Sequence, residues 1–269
     1  MNKLPAITAV FWIMKIAATT LGETGGDLVA QTLNVGYLAS SFLFVGLFIV
    51  SLIAQLRAKK FHPALFWAVI VTTSTAGTTL SDFMNRTAGL GYAAGAMVLI
   101  TCLVIVFVVW RLSGQTLKVE QINTVRGELL YWIATLISNT LGTSTGDWLA
   151  HDTGIGFQTS TLVITAALLV IVAAHYFTPI SGTLLFWLAY VLTRPFGANA
   201  GNTLSKTYAE GGLNLGTFGA SAVLAAVLVG LVVYQTVVEP KRSARRLADN
   251  EDPPAVDIRA ESRPGFESR

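Results

Sequence analysis

Charge is scarce in this chain. Only 12% of its 269 residues are Asp, Glu, Lys or Arg, against 53% hydrophobic, and the mean hydropathy is +0.60. An ordinary soluble domain carries about 25% charged residues, so a water-bathed globular fold is excluded. Cysteine occurs once, at Cys102 inside an apolar run. That leaves no intrachain disulfide framework and no thiolate metal site. Histidine occurs three times, at His62, His151 and His175, never in a His-Glu-x-x-His helix, and no Ser/His/Asp arrangement stands out. An enzyme is therefore the third-ranked reading, and no cofactor is expected. The slight basic excess, +3 with a pI near 9.1, belongs to loops and a tail that meet anionic lipid headgroups. It gives no ground for a nucleic-acid partner.

What the chain has instead is long apolar runs. Segments 43–55, 97–110, 162–174 and 223–234 are the clearest cores of membrane-crossing helices. The N-terminus resembles a secretory signal, with Lys3 ahead of an apolar stretch. Cleavage near Ala18 would remove half of a unit that the chain uses three more times, so a retained first helix is expected.

That unit is an internal repeat. Trp12 precedes Gly22 by ten residues, Asp27 follows that glycine by five, and Gly36 follows the aspartate by nine. Trp67, Gly77, Asp82 and Gly91 keep the same intervals, as do Trp132, Gly142, Asp147 and Gly156. The fourth copy runs Trp187, Gly197, Asn202 and Gly216, with Asn in place of Asp and five extra residues before the last glycine. Four landmarks held at fixed spacing four times define the chain's organisation.

Each unit reads as two helices, giving spans near 5–30, 36–57, 61–85, 91–111, 127–150, 156–177, 181–205 and 214–237. The expected fold is an all-α membrane protein of about eight transmembrane helices in four two-helix repeats. The longer connection between units two and three groups them as two four-helix halves in tandem: 1–112, a cytoplasmic connection 113–126, and 127–238. Residues 239–269, of mixed charge with several prolines, read as a disordered cytoplasmic tail. Lys3, Arg57, Lys59, Lys60, Arg111, Lys118, Arg126 and the basic cluster 241–246 fall on one side, and only Arg86 and Lys206 on the other. Both termini are then cytoplasmic. With two helices per unit, the four copies share one orientation, as parallel repeats.

The motif carries two signals. Gly22/Gly26, Gly77/Ser81, Gly142/Gly146 and Gly197/Gly201 are small-xxx-small pairs that let helix backbones approach. Packing needs those residues but not the acid that follows each pair. Glu23, Asp27, Asp82 and Asp147 each cost roughly 2.5–3.5 kcal/mol if ionised at mid-membrane, together on the order of 10 kcal/mol. A local explanation is pairing at i,i+4, Asp82 with Arg86 and Asp147 with His151. Glu23 and Asp27, also four apart, have no basic residue one turn away, so a cation or a shared proton is expected between them. Thr19, Thr20, 72–75, Thr135, Ser138, Asn139 and Thr140 precede the motif glycines and suggest a polar track. Lys15 lies inside the first helix and Arg194 inside the seventh, the latter equivalent to Thr19, Ser74 and Asn139. Buried cations in membranes point to carboxylate partners. Pro195 should kink the seventh helix. A donor set of carboxylate, hydroxyl, amide and backbone oxygen suits hard cations such as Mn²⁺, Mg²⁺ or Ca²⁺, or protons and Na⁺.

The string Phe11-Trp12-Ile-Met-Lys15 with Thr19-Thr20-Leu-Gly-Glu-Thr-Gly-Gly-Asp27 resembles a bacterial family of uncharacterised, polytopic "membrane-anchored" proteins. The segments 141–147, 192–197 and 211–217 look like the same family, and the resemblance covers residues 5 to about 237. It implies a multi-pass protein of the bacterial inner membrane, with no settled activity. Glu23 and Asp27 are also similar to the Glu-x-Gly-Asp motif of Mn²⁺ or Ca²⁺ exporters, though here the acids stand one residue further apart and no basic residue follows Asp27.

The leading expectation is a secondary transporter of a small inorganic cation, a divalent metal such as manganese first, exchanged for protons. Glu23, Asp27, Asp82, Asp147 and Asn202 form its ligand set. Lys15, Thr19, Asn139 and Arg194 serve as pathway groups and charge partners. The alternative is a non-transporting membrane scaffold or sensor with structural ion pairs and a partner-recruiting tail.

Overall fold

The computed structural model describes residues 4–251, with side chains described as far as 237. Among these there are eight α-helices and no strand: α1 (Ala9–Asp27), α2 (Tyr37–Arg57), α3 (Pro63–Asp82), α4 (Tyr92–Leu112), α5 (Val125–Asp147), α6 (Gly156–Phe177), α7 (Gly182–Ser205) and α8 (Gly216–Glu251). Local chemistry sets several starts. Thr8 Oγ1 accepts from Phe11 N at 3.3 Å ahead of α1, and Thr124 Oγ1 accepts from Gly127 N at 3.0 Å ahead of α5. Pro63 opens α3, where a missing N–H costs nothing.

The landmark glycines have a backbone reason. Gly36, Gly91, Gly156 and Gly216 all take positive φ, between 69° and 82°, at the start of the even helices. Two residues earlier Asn34, Gly89, Gly154 and Asn214 do the same. The paired left-handed positions reverse the chain within a few residues, and side chains rarely adopt such angles.

The odd helices form a closed ring. α1 packs on α3, α3 on α5, α5 on α7, and α7 back on α1. Each even helix is laid on the inner helix of the following repeat: α2 on α3, α4 on α5, α6 on α7. The last closes the circle on the first, since Ser221 Oγ donates to Thr24 Oγ1 at 2.9 Å and Thr217 and Thr32 hydroxyls meet at 2.7 Å. The two tandem halves of the sequence are thus not two bodies in space: residues through Val232 form one compact unit.

Small residues make the ring tight. A Cβ on Gly22 would fall 2.5 Å from Ser74 Cβ, on Gly77 2.8 Å from Asn139 Cβ, on Gly142 2.5 Å from Arg194 Cβ, and on Gly197 2.5 Å from Thr19 Oγ1. Every motif glycine therefore receives the same position of the next repeat, three residues before that repeat's own glycine.

Five helices are long and apolar enough to cross a membrane: α2, α3 with the turn that follows it (Pro63–Thr87), α4, α6 and α8. Their outward side chains are apolar, as at Phe42, Met97, Leu162 and Phe218. α1, α5 and α7 are not apolar enough, because their polar residues face the ring's interior.

Of the segment 239–269, read as a disordered tail, only the part to 251 is among the described residues. α8 continues as helix to Glu251, and its sequence past 240 is rich in Ala, Arg and Leu, all good helix formers. Residues 252–269 lie outside the described residues. Residues from Val233 on form a second unit, of which the described part is this helix alone.

The connection 113–126 is packed rather than loose. Val119 and Ile122 are buried with the core, Trp187 Nε1 donates to Leu117 O at 3.0 Å, and Ile7 N donates to Glu120 Oε1 at 3.4 Å. It runs beneath the ring beside a belt of Phe11, Phe66, Trp67, Tyr131, Trp132, Phe186 and Trp187 rings, joined by edge and tilted contacts.

Candidate functional site

The repeat stacks its chemistry in layers. Four residues are about 6 Å of helix rise, and steps of four from the residue after each motif glycine stay on the inner face. One layer holds Lys15, Ile70, Thr135 and Tyr190. The next holds Thr19, Ser74, Asn139 and Arg194, and above it come Glu23, Thr78, Thr143 and Ala198. Asp27, Asp82, Asp147 and Asn202 follow. None of these sixteen side chains belongs to a residue more than 3% exposed. The outermost layer, Gln31, Arg86, His151 and Lys206, reaches solvent, with the Arg86 and Lys206 side chains 34% and 20% exposed.

Glu23 is the centre of the network, and the other three repeats all reach it. Its Oε2 accepts from Thr78 Oγ1 at 3.1 Å, Thr143 Oγ1 at 3.2 Å, and Arg194 Nη1 and Nη2 at 3.2 and 3.3 Å. Its Oε1 accepts from Asn202 Nδ2 at 3.1 Å. Arg194 also donates to Ser74 O at 3.2 Å and Thr78 Oγ1 at 2.5 Å. The guanidinium thus crosses the ring from α7, and the buried carboxylate has its charge matched. The expectation that Glu23 lacks a basic partner holds one turn along α1 and fails across the ring.

One layer out, Arg86 Nε lies 3.1 Å from Asp82 Oδ1 and its Nη2 lies 3.2 Å from Asp147 Oδ2. The i,i+4 pair of α3 is made, and the same arginine serves the acid of the next repeat. His151 does not pair with Asp147; its ring packs on Tyr92 and Phe157. Asp27 takes Gln31 Nε2 at 2.5 Å and Lys206 Nζ at 3.7 Å. The acids converge on one axis but not as one chelating set. Among the described residues, no three His, Cys, Asp or Glu side chains are grouped to hold a metal ion. The physical reason is the cations already there: Arg86 occupies the space between Asp82 and Asp147, and Arg194 the face of Glu23.

Lys15 Nζ lies 3.9 Å above the Tyr190 ring and has no hydrogen-bond partner. Both amide atoms of Asn139 are also unpartnered. Thr19 Oγ1 donates to Lys15 O and Ile16 O, each at 3.0 Å, and fills the Gly197 seam. It is a packing residue in this arrangement.

Three acidic helices share a feature that the spacing does not announce. Immediately after Asp27, Asp82 and Asp147 the chain widens into a π-helical turn: Leu28–Thr32, Phe83–Thr87 and Trp148–Asp152. α7 has no such turn after Asn202; it carries Pro195 inside the helix instead. Thr78 and Thr143, donors to Glu23, also escape a reading of single motifs. Their signal is positional, since both stand where the first repeat has Glu23.

The four segments 10–61, 65–116, 130–181 and 185–240 each match the family described as Repeat of Unknown Function (DUF347). The chain belongs to this family. Each DUF347 segment takes in one odd helix and the even helix after it, so the two-helix unit read from Trp and Gly spacing is the family's own repeat. No curated protein and no solved structure matches the chain. The likeness of Glu23 and Asp27 to Glu-x-Gly-Asp exporters finds no support in these comparisons, and within the DUF347 ring Glu23 is bound to Arg194 and Asn202 rather than grouped with Asp27.

Proposed function

We propose that this protein is a secondary transporter of a small inorganic cation, with eight membrane-spanning helices, set in the bacterial inner membrane with both termini cytoplasmic. The observation that carries the reading is the axis itself: four buried acids, brought together by four repeats, whose cations come from other repeats or from a solvent-touching mouth. Arg86 and Lys206 stand at that mouth, the end opposite the connection 113–126, on the side with the fewest Lys and Arg. A cation entering there meets Asp27, Asp82 and Asp147 after displacing Arg86 and Lys206, both long and partly exposed side chains. Glu23, with the hydroxyls of Thr78 and Thr143, lies one layer deeper.

Oxygen is the only ligand element in these layers, which favours a hard cation, with Mn²⁺ the first candidate. Lys15, Arg86, Arg194 and Lys206 match the four acids in number, so the axis as a whole is neutral. Entry of a divalent ion then has to be balanced by movement of these cations or by protons. Proton exchange is one way to meet that balance.

The same balance favours a second reading, a scaffold whose ion pairs only hold the ring closed. Flux of Mn²⁺, Co²⁺, Ca²⁺ and Mg²⁺ into proteoliposomes, with a pH-sensitive dye inside, separates the two. Transport predicts flux that Asp27→Asn or Asp147→Asn abolishes while the protein still folds. It also predicts that Asp27→Asn with Lys206→Gln, which keeps the axis neutral, is inactive. Wild-type protein that moves none of the four ions, or a charge-neutral double variant as active as wild type, would rule transport out.

A further inference from the structure

We propose that the inner half of the ring axis binds one small monovalent anion of chloride size, held by Lys15, Arg194, Asn139 and Ser74. These residues come one from each repeat, on α1, α7, α5 and α3, and lie in two adjacent layers about 6 Å apart. Each is 0% exposed. Lys15 Nζ, Arg194 Nε, Asn139 Nδ2 and Ser74 Oγ have no hydrogen-bond partner. Together they present three ammonium N–H groups, one guanidinium N–H, two amide N–H groups and one hydroxyl. Buried polar groups are almost always satisfied, so a cluster this rich in donors calls for an acceptor.

The uncommitted acceptors of the cluster itself, Asn139 Oδ1 and the Ser74 hydroxyl, are neutral and leave its charge uncancelled. Below Lys15, the hydroxyls of Thr135, Tyr131 and Tyr190 are joined to one another: Thr135 to Tyr190 at 3.1 Å, Tyr131 to Tyr190 at 3.1 Å, and Thr135 to Tyr131 O at 2.7 Å. Tyr190 offers Lys15 its ring face only. Above, the Arg194 Nη atoms are committed to Glu23, Ser74 O and Thr78, leaving Nε directed to no one.

Charge bookkeeping along the axis points the same way. The inner half carries Lys15 and Arg194 against Glu23, a surplus of one positive charge. The outer half carries Asp27, Asp82 and Asp147 against Arg86 and Lys206, a surplus of one negative charge. Lys15 and the Asp27 layer are three layers apart, about 18 Å, too far for one to shield the other from the cost of burial. A water molecule would satisfy donors without cancelling the charge. A monovalent anion does both, whereas a divalent one would reverse the sign. The seams on either side are tight, a Cβ on Gly22 falling 2.3 Å from Ser74 Oγ, so the anion proposed is monatomic.

Binding is tested on the purified full-length protein in detergent, by equilibrium dialysis of radiolabelled chloride against sodium gluconate. One chloride per chain, saturable and displaced by bromide but not by sulfate, is the expected result. In parallel, each tenfold rise in chloride above its Kd should raise the melting midpoint by roughly 3–5 °C. Lys15→Gln should abolish both effects, and Lys15→Arg should retain binding. The wild-type dialysis decides even if Lys15→Gln does not fold. Wild-type protein that takes up no chloride overturns the proposal, as does a folded Lys15→Gln that binds like wild type. No cation moves in this assay, so its outcome is separate from that of the transport experiment.

Discussion

Repeats one to three and repeat four share a frame and differ in what fills it. All have the tryptophan, the motif glycine, the small residue four positions on, and the left-handed glycine before the even helix. The first three end their inner helix on an acid and continue through a π-helical turn; the fourth ends on Asn202 and has none. It also places Arg194 where the others have Thr19, Ser74 and Asn139. These departures are complementary. Repeat one has the one extra acid, Glu23, and repeat four, its neighbour in the closed ring, supplies both Arg194 and Asn202 to it. A sequence change that looks like decay of the repeat is in fact half of a matched pair.

The largest test of that pairing is Arg194→Met. It leaves Glu23 buried without its cation and should cost about 3–5 kcal/mol, read as a fall in the denaturation midpoint in detergent. Glu23→Gln with Arg194→Met should recover most of the loss. If the double variant is as unstable as the single, the pair is not matched. Next comes Asn202→Asp, which makes repeat four resemble the other three. It sets a second carboxylate against Glu23 Oε1 and removes an N–H donor, so a loss of about 1–3 kcal/mol is expected. Gly77→Ala tests the seams at similar size, about 1–3 kcal/mol, because its Cβ would lie 2.8 Å from the Asn139 backbone. Gly25→Ala is its control: nothing lies within 4 Å of that Cβ, and helix propensity alone should stabilise by up to about 1 kcal/mol. The smallest effect belongs to the extra residues of repeat four. Glu210 accepts from Thr207 N at 3.1 Å and Thr207 Oγ1 at 2.7 Å, which holds its carboxyl below the usual 4.5. A depressed folded value stabilises above the unfolded value and is lost as pH falls through the folded one. Glu210→Gln should therefore lower the melting midpoint slightly at neutral pH, by a difference that shrinks as the pH falls below 4.5.

Much of the fold is legible in the sequence because the landmarks are backbone requirements. Gly36, Gly91, Gly156 and Gly216 mark positive φ, and Gly22, Gly77, Gly142 and Gly197 mark helix contacts, so both sets repeat faithfully and give helix bounds within a few residues. The order of the ring is not legible. Spacing along the chain makes repeats one and two a pair, whereas packing joins each even helix to the repeat after it, a property of three-dimensional closure. The site was half legible. The acids announce themselves by their cost in lipid, and Lys15 and Arg194 likewise. Their partners do not, because Arg194 to Glu23 spans 171 residues and Arg86 serves acids of two repeats. The donors Thr78 and Thr143 stay hidden until the four copies are aligned on Glu23.

The staggered docking has a consequence for how the molecule is made. Of the eight helices α1 is made first, yet the outer helix that covers it is α8, made after the other seven. Until α8 has been made, the face that receives Ser221 stays bare and the circle stays open at the junction between the first and fourth repeats. Closure awaits all four repeats, and a product truncated after three would find its missing quarter only in another molecule.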